Sequence, residues 1–167
     1  MKKIILTMIV SLMAIQIYAQ DNVMEKIQKT IVELKEKYAP DKRVAIFNIE
    51  VKDNGDKLSL AGETSEIDAK EELLSILENE KIEVLDEIDT LPSAKLKNKT
   101  LGLIDVSVAN LRAEPRHSAE LVTQAILGTP IRVLKKHDGF CLVQTPDKYI
   151  AWVDDDGIHL IDNDEYD

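Results

Sequence analysis

The chain has 167 residues, a formal net charge of −10 and a single cysteine, Cys141. An excess of 31 Asp and Glu over 21 Lys and Arg repels nucleic acid and anionic lipid, and the sequence displays no basic patch that would reverse this. One thiol excludes an internal disulfide, so packing must hold the fold.

Met1 to Ala19 reads as an export signal. Lys2 and Lys3 open it, Ile4 to Ile15 form an apolar run, and Ile17-Tyr18-Ala19 supplies the small residue at which a signal peptidase cuts. The run is too short to span a bilayer core of about 30 Å, which predicts no membrane insertion after cleavage. No cysteine lies near the boundary, which argues against a lipid-attached form. Cleavage removes two lysines and no acid, moving the charge from −10 to −12. The mature protein is therefore expected in the periplasm or outside the cell, with a chain long enough for one medium domain or two small ones. The pattern indicates two, an α+β class overall.

The first unit is predicted over residues 20–91. Met24, Ile27, Ile31, Leu34 and Tyr38 recur at helical spacing, with Glu25, Lys29, Glu33 and Lys37 opposite, and Pro40 ends the helix. Val44 to Val51 is rich in β-branched residues and reads as a strand. Asp53-Asn54-Gly55 signals a hairpin, and Lys57 to Glu63 alternates as the partner strand, Leu58 and Leu60 on one face. Ser65 is placed to N-cap a second helix, with Asp68 three residues on and Ala69, Leu73, Ile76 and Leu77 on its apolar side. Ile82 to Ile88 returns as a strand. The order α-β-β-α-β predicts two amphipathic helices over one face of a three-stranded sheet. The segment VKDNGDKLSLAGETS, with turn glycines at Gly55 and Gly62 and the helix after it, resembles the BON domain of exported and outer-membrane-associated bacterial proteins. That resemblance implies envelope or lipid association; the acidic surface favours a structural spacer instead.

Pro92 to Thr100 carries three lysines and little apolar content, and residues 92–103 read as a linker. Short strand-like runs follow over 104–162: Asp105 to Arg112, Leu121 to Leu127, Ile131 to Leu134, Phe140 to Gln144 and Tyr149 to Val153. Gly, Pro or Asp stands at nearly every break, which predicts a small closed β-barrel. Residues 163–167 form an acidic tail. Asn110-Leu111-Arg112 with Ala119-Glu120-Leu121-Val122-Thr123-Gln124 and Gly128-Thr129, and Leu142-Val143-Gln144-Thr145-Pro146-Asp147 with Tyr149 and Trp152-Val153, resemble the bacterial SH3 domain carried ahead of NlpC-type cell-wall peptidases. The likeness implies an SH3-like barrel. It departs at Phe140-Cys141, where relatives place an aromatic pair, and at Lys148, where they place a glycine.

The chemistry-bearing residues argue against catalysis. Cys141 sits in the strand Gly139 to Thr145 with no helix after it, unlike an activated nucleophile at a helix start, and the chain is too short for a further catalytic domain. His117, His137 and His159 share no metal-ligand spacing. Asp154-Asp155-Asp156 lacks the ligand order of a calcium loop and reads as a solvated turn. No catalytic residue, metal or cofactor is therefore expected.

The resemblance places a ligand groove at the loop after the first barrel strand. The positions carried over are Arg112, Glu114, Pro115, Arg116, His117, Ser118 and Glu120. Arg112 and Glu120 suit a role in locking the loop to the barrel. Arg116 and His117, at its tip, are the better ligand contacts, since a guanidinium fork matches the carboxylates of a peptidoglycan stem peptide. Tyr149 and Trp152 face opposite sides of one strand. Trp152, the lone tryptophan, either fills or rims the core or serves as a ligand platform. The expected function is recognition of peptidoglycan peptide or an envelope protein, with Arg116, His117 and Tyr149 contacting it and Glu114, Ser118 and Trp152 as further candidate contacts. The alternatives are an adaptor docking on a separate peptidase or outer-membrane component, and a truncated relative of an NlpC-type peptidase.

Overall fold

The computed structural model describes residues 22–55 and 57–162; the expected export signal and acidic tail lie outside the described residues. Helix α1 covers residues 22–38. It is followed by β1 (Phe47–Asp53), β2 (Leu58–Thr64), α2 (Ile67–Asn79) and β3 (Val84–Thr90). Strand order is β1-β2-β3: β1 and β2 form an antiparallel hairpin, and β3 lies parallel to β2 with α2 as the crossover. Ile27, Ile31 and Leu34 of α1 join Ala69, Leu73 and Leu77 of α2 over Phe47, Ile49, Leu58, Leu60 and Ile88 in one buried cluster. The helical and strand periodicities of this half thus converge on a single α+β core.

Three local expectations need correction. Ser65 does not cap α2: its hydroxyl accepts the Ile46 amide at 2.9 Å, and Thr64 Oγ1 instead accepts the Glu66 amide at 3.0 Å. Gly62 is not a turn residue. It lies within β2 opposite Ile49 at φ +130°, and a Cβ there would come within 1.9 Å of the Asn48 carbonyl oxygen. The strand expected from Val44 begins at Phe47, because residues 43–46 run out toward the second unit.

The second unit contains β4 (Leu101–Ile104), β5 (Val108–Arg112), β6 (Leu121–Ile126), β7 (Pro130–His137), β8 (Phe140–Gln144), β9 (Ile150–Asp154) and β10 (Ile158–Ile161). They form one antiparallel sheet in the order β10-β4-β7-β8-β9-β5-β6. Every strand sends at least one side chain into a common cluster that includes Ile104, Leu111, Ala125, Val133, Cys141, Val153 and Ile158, so the sheet curls around its own core. Asp138 and Gly139, both at positive φ, make the tight β7–β8 hairpin. Lys148 has φ 71°, which explains why a glycine suits that position. The segment read as a linker is largely structured: Ala94–Leu96 is a 3-10 helix, and Leu101 to Leu103 belong to β4, paired with β7 and β10.

A third buried cluster joins the two units. Ile46 and Leu91 from the first pack on Leu134 and Leu142 from the second, with Ile150 and Trp152 against them. The Ile150 amide donates to the Arg43 carbonyl at 2.7 Å, Gln144 Nε2 to the Val44 carbonyl at 3.1 Å, and the Ser93 amide to the Leu134 carbonyl at 2.7 Å. Lys135 Nζ reaches both carboxylate oxygens of Glu63 at 2.6 and 2.7 Å. Among the described residues, no helix is long and apolar enough to cross a membrane.

Candidate functional site

Strand alternation assigns two faces to the sheet at β5, β8 and β9. Ala109, Leu111, Cys141, Val143, Ala151 and Val153 point into the core. The opposite face carries Phe140 paired with Asp154, Leu142 with Trp152, Gln144 with Ile150, and Arg112 beside Trp152. One half of this outer face is covered by the first unit and the other is open.

The open half is a groove of about 260 Å³. Phe140, only 7% exposed, forms its floor. The His117 ring lies against it with centroids 5.2 Å apart and planes tilted by 58°. His117 Nε2 approaches Asp154 Oδ2 to 3.6 Å, and Asp156 lies on the same rim. Val106 and Val108 make the opposite, apolar wall, and both are exposed. Arg112 and Asn110 complete the lining. Arg112 Nη1 donates to the Ala119 carbonyl at 2.8 Å, and the Ala113 amide donates to the Glu120 carbonyl at 3.0 Å. The loop is therefore tied to the sheet by the Arg112 side chain and by the Glu120 backbone rather than its carboxylate.

The residues singled out from the sequence do not form one cluster. His117 and Arg112 line the groove. Arg116 instead pairs within its own loop, Nε 2.9 Å from Glu114 Oε2 and Nη1 3.4 Å from Ser118 Oγ, and its guanidinium holds the Glu114 carboxyl below its ordinary value. Pro115 is half-buried between these exposed neighbours. Tyr149 packs against the inner core, and its carbonyl accepts from the Thr145 amide at 3.0 Å. Trp152 belongs to the covered half, packed on the joining cluster, with Lys135 Nζ 5.5 Å from its ring centroid and His137 at 6.2 Å. His159 is exposed on β10, away from the groove lining.

Sequence reasoning missed Phe140 as a groove floor and Asn110, Asp154 and Asp156 as lining. Parity was the available signal: Val108, Asn110 and Arg112 alternate with the core positions of β5, and Asp154 shares the parity of Trp152. Cys141 is fully buried, and burial raises its thiol pKa to about 11, so it is a poor nucleophile at neutral pH. Asp154, Asp155 and Asp156 each bring a carboxylate oxygen within 4.8 Å of the others, and Asp154 Oδ1 accepts the Asp156 amide at 3.1 Å, capping the 3-10 turn Asp155–Gly157.

Residues 111–158 match the family described as the bacterial dipeptidyl-peptidase Sh3 domain. This part of the chain is similar to a bacterial SH3 domain. The match runs from the end of β5 to the first residue of β10 and so includes His117, Phe140 and Asp154. No curated protein matches the chain.

Proposed function

We propose that the chain is an exported, non-catalytic envelope protein with a BON-like first unit and an SH3-like barrel, and that the groove at His117 holds a peptidoglycan stem peptide. The observation that carries this reading is the groove itself, whose Arg112, His117, Phe140, Asp154 and Asp156 lie within the residues similar to the peptidase-associated SH3 domain, while Val106 and Val108 come from just before them. Its chemistry is two-sided. Asp154 and Asp156 offer carboxylates to an ammonium group, while Phe140, Val106 and Val108 offer apolar surface to a short side chain. A stem peptide, with free amines and small alkyl side chains, presents both. The absence of an activated thiol at Cys141 supports holding rather than cutting.

The test is sedimentation with purified sacculi, followed by titration with isolated stem peptides. Binding is expected for the native protein and lost in Asp154→Asn with His117→Ala; protein left wholly in the supernatant overturns the reading. Incubation with muropeptides should release no fragments.

A second reading, docking on a separately encoded peptidase or another envelope protein, is favoured by one observation. Val108, Leu121, Ile126 and Leu127 are exposed together along the β5–β6 hairpin, an apolar surface beside the groove. Co-purification from envelope extracts without affinity for isolated wall, abolished by Ile126→Lys, would select it.

A further inference from the structure

The acidic composition conceals a local reversal of charge. Residues 92–101 contain Lys95, Lys97 and Lys99 and no acid, and residues 130–137 contain Arg132, Lys135 and Lys136 and no acid. The fold lays these two segments side by side. The Ser93 amide donates to the Leu134 carbonyl at 2.7 Å, the Val133 amide to the Thr100 carbonyl at 2.8 Å, and Leu101 pairs with Arg132. Six cations are thereby gathered on neighbouring segments separated by 28 residues of sequence, which is why no patch is visible in the linear chain.

Where these segments meet the first unit there is a cleft of about 320 Å³. Leu91 and Leu96, both buried, lie in its lining with Lys95, Lys135 and Lys136. Lys135 is neutralised by Glu63 across the cleft, but Lys95 and Lys136 form no ion pair among the described residues. Asp89 is the one acid in the lining without such a partner among the described residues. The cleft thus has two available cations, one opposing carboxylate and an apolar base, at the junction of two units where ligand sites often form.

We propose that this cleft is a docking site for an extended acidic peptide segment of a partner protein. Carboxylates of the segment meet Lys95 and Lys136, and an apolar side chain between them covers Leu91 and Leu96. A narrow strand of chain fits the charge pattern better than a broad anionic surface. Over a screening length of about 8 Å a single segment senses mainly the lysines, whereas a bilayer would also confront Asp89 and the acidic remainder of the molecule. This site is separate from the His117 groove and does not depend on wall binding.

Fluorescence anisotropy of the intact mature protein with a labelled peptide of alternating glutamate and leucine tests it, beside a lysine–leucine peptide of the same length and vesicles containing phosphatidylglycerol. The acidic peptide is expected to bind, more weakly as salt rises, and the lysine peptide not. Lys95→Gln with Lys136→Gln should weaken binding about three- to tenfold, and Asp89→Asn should strengthen it about two- to fivefold, as expected for exposed charge pairs. The opposed signs separate a binding effect from damage to the fold. Unchanged affinity in the double variant, equal binding of the two peptides, or preference for the vesicles over the acidic peptide overturns the proposal.

Discussion

The outer face of β8 and β9 is one continuous surface with two fates. Leu142, Ile150 and Trp152 are covered by Ile46 and Leu91 of the first unit, while Phe140 and Asp154, one pair further along the same ladder, remain beside an open groove. Adjacent positions with the same strand parity therefore meet a packed seam in one half and an open groove in the other. Residue type alone does not tell them apart. The tryptophan, readable from the sequence either as core filling or as a ligand platform, packs on the joining cluster, and the less conspicuous histidine beside Phe140 faces solvent over the groove.

That contrast can be broken most forcefully from the covered half. Leu134→Ala, at a fully buried position of the joining cluster, should cost about 2–5 kcal/mol in denaturant unfolding. It should also loosen both units together, so an unaltered midpoint would show that the seam is not cohesive. The inner face provides a pH test. Burial pushes the folded Cys141 thiol up from its ordinary 9.0 to about 11, so its contribution is fully present below pH 9 and is lost as pH rises toward 11. Stability should fall by about 1 kcal/mol between pH 9 and 10 from this group, a slope that Cys141→Ala removes. A thiol reagent at pH 8 should label the unfolded chain and leave the native one unmodified.

Smaller effects sharpen the comparison. Lys135→Gln strands Glu63 at the rim of the seam, where both side chains are 27% exposed, and should cost about 1 kcal/mol or less, with thermal unfolding as the measurement. His117→Ala, on the open half, should change stability by no more than about 0.5 kcal/mol while reducing stem-peptide binding. A melting temperature that drops as far as for Lys135→Gln would assign His117 to cohesion instead.

Much of this division follows from patterns that can be read in the chain. The helical spacing from Met24 to Tyr38, the turn at Asn54-Gly55 and the breaks between the later strands identify most elements, because each depends on neighbouring residues. What escaped depends on partners distant in sequence. The pairing of Leu101 with Arg132 turns the supposed linker into a strand, and the use of Ser65 by Ile46 removes a helix cap. The same applies to the site. Loop residues His117 and Arg112 were legible from the resemblance, but which of Trp152 and Phe140 would be covered depends on where residues 43–46 and 91–93 cross the sheet.

Because the only indole of the protein is wedged between the two units, its intrinsic emission monitors their contact and little else. A red shift on mild denaturation, arriving before any loss of helical ellipticity, would mark the moment the halves part company and give an optical handle on that step without labels.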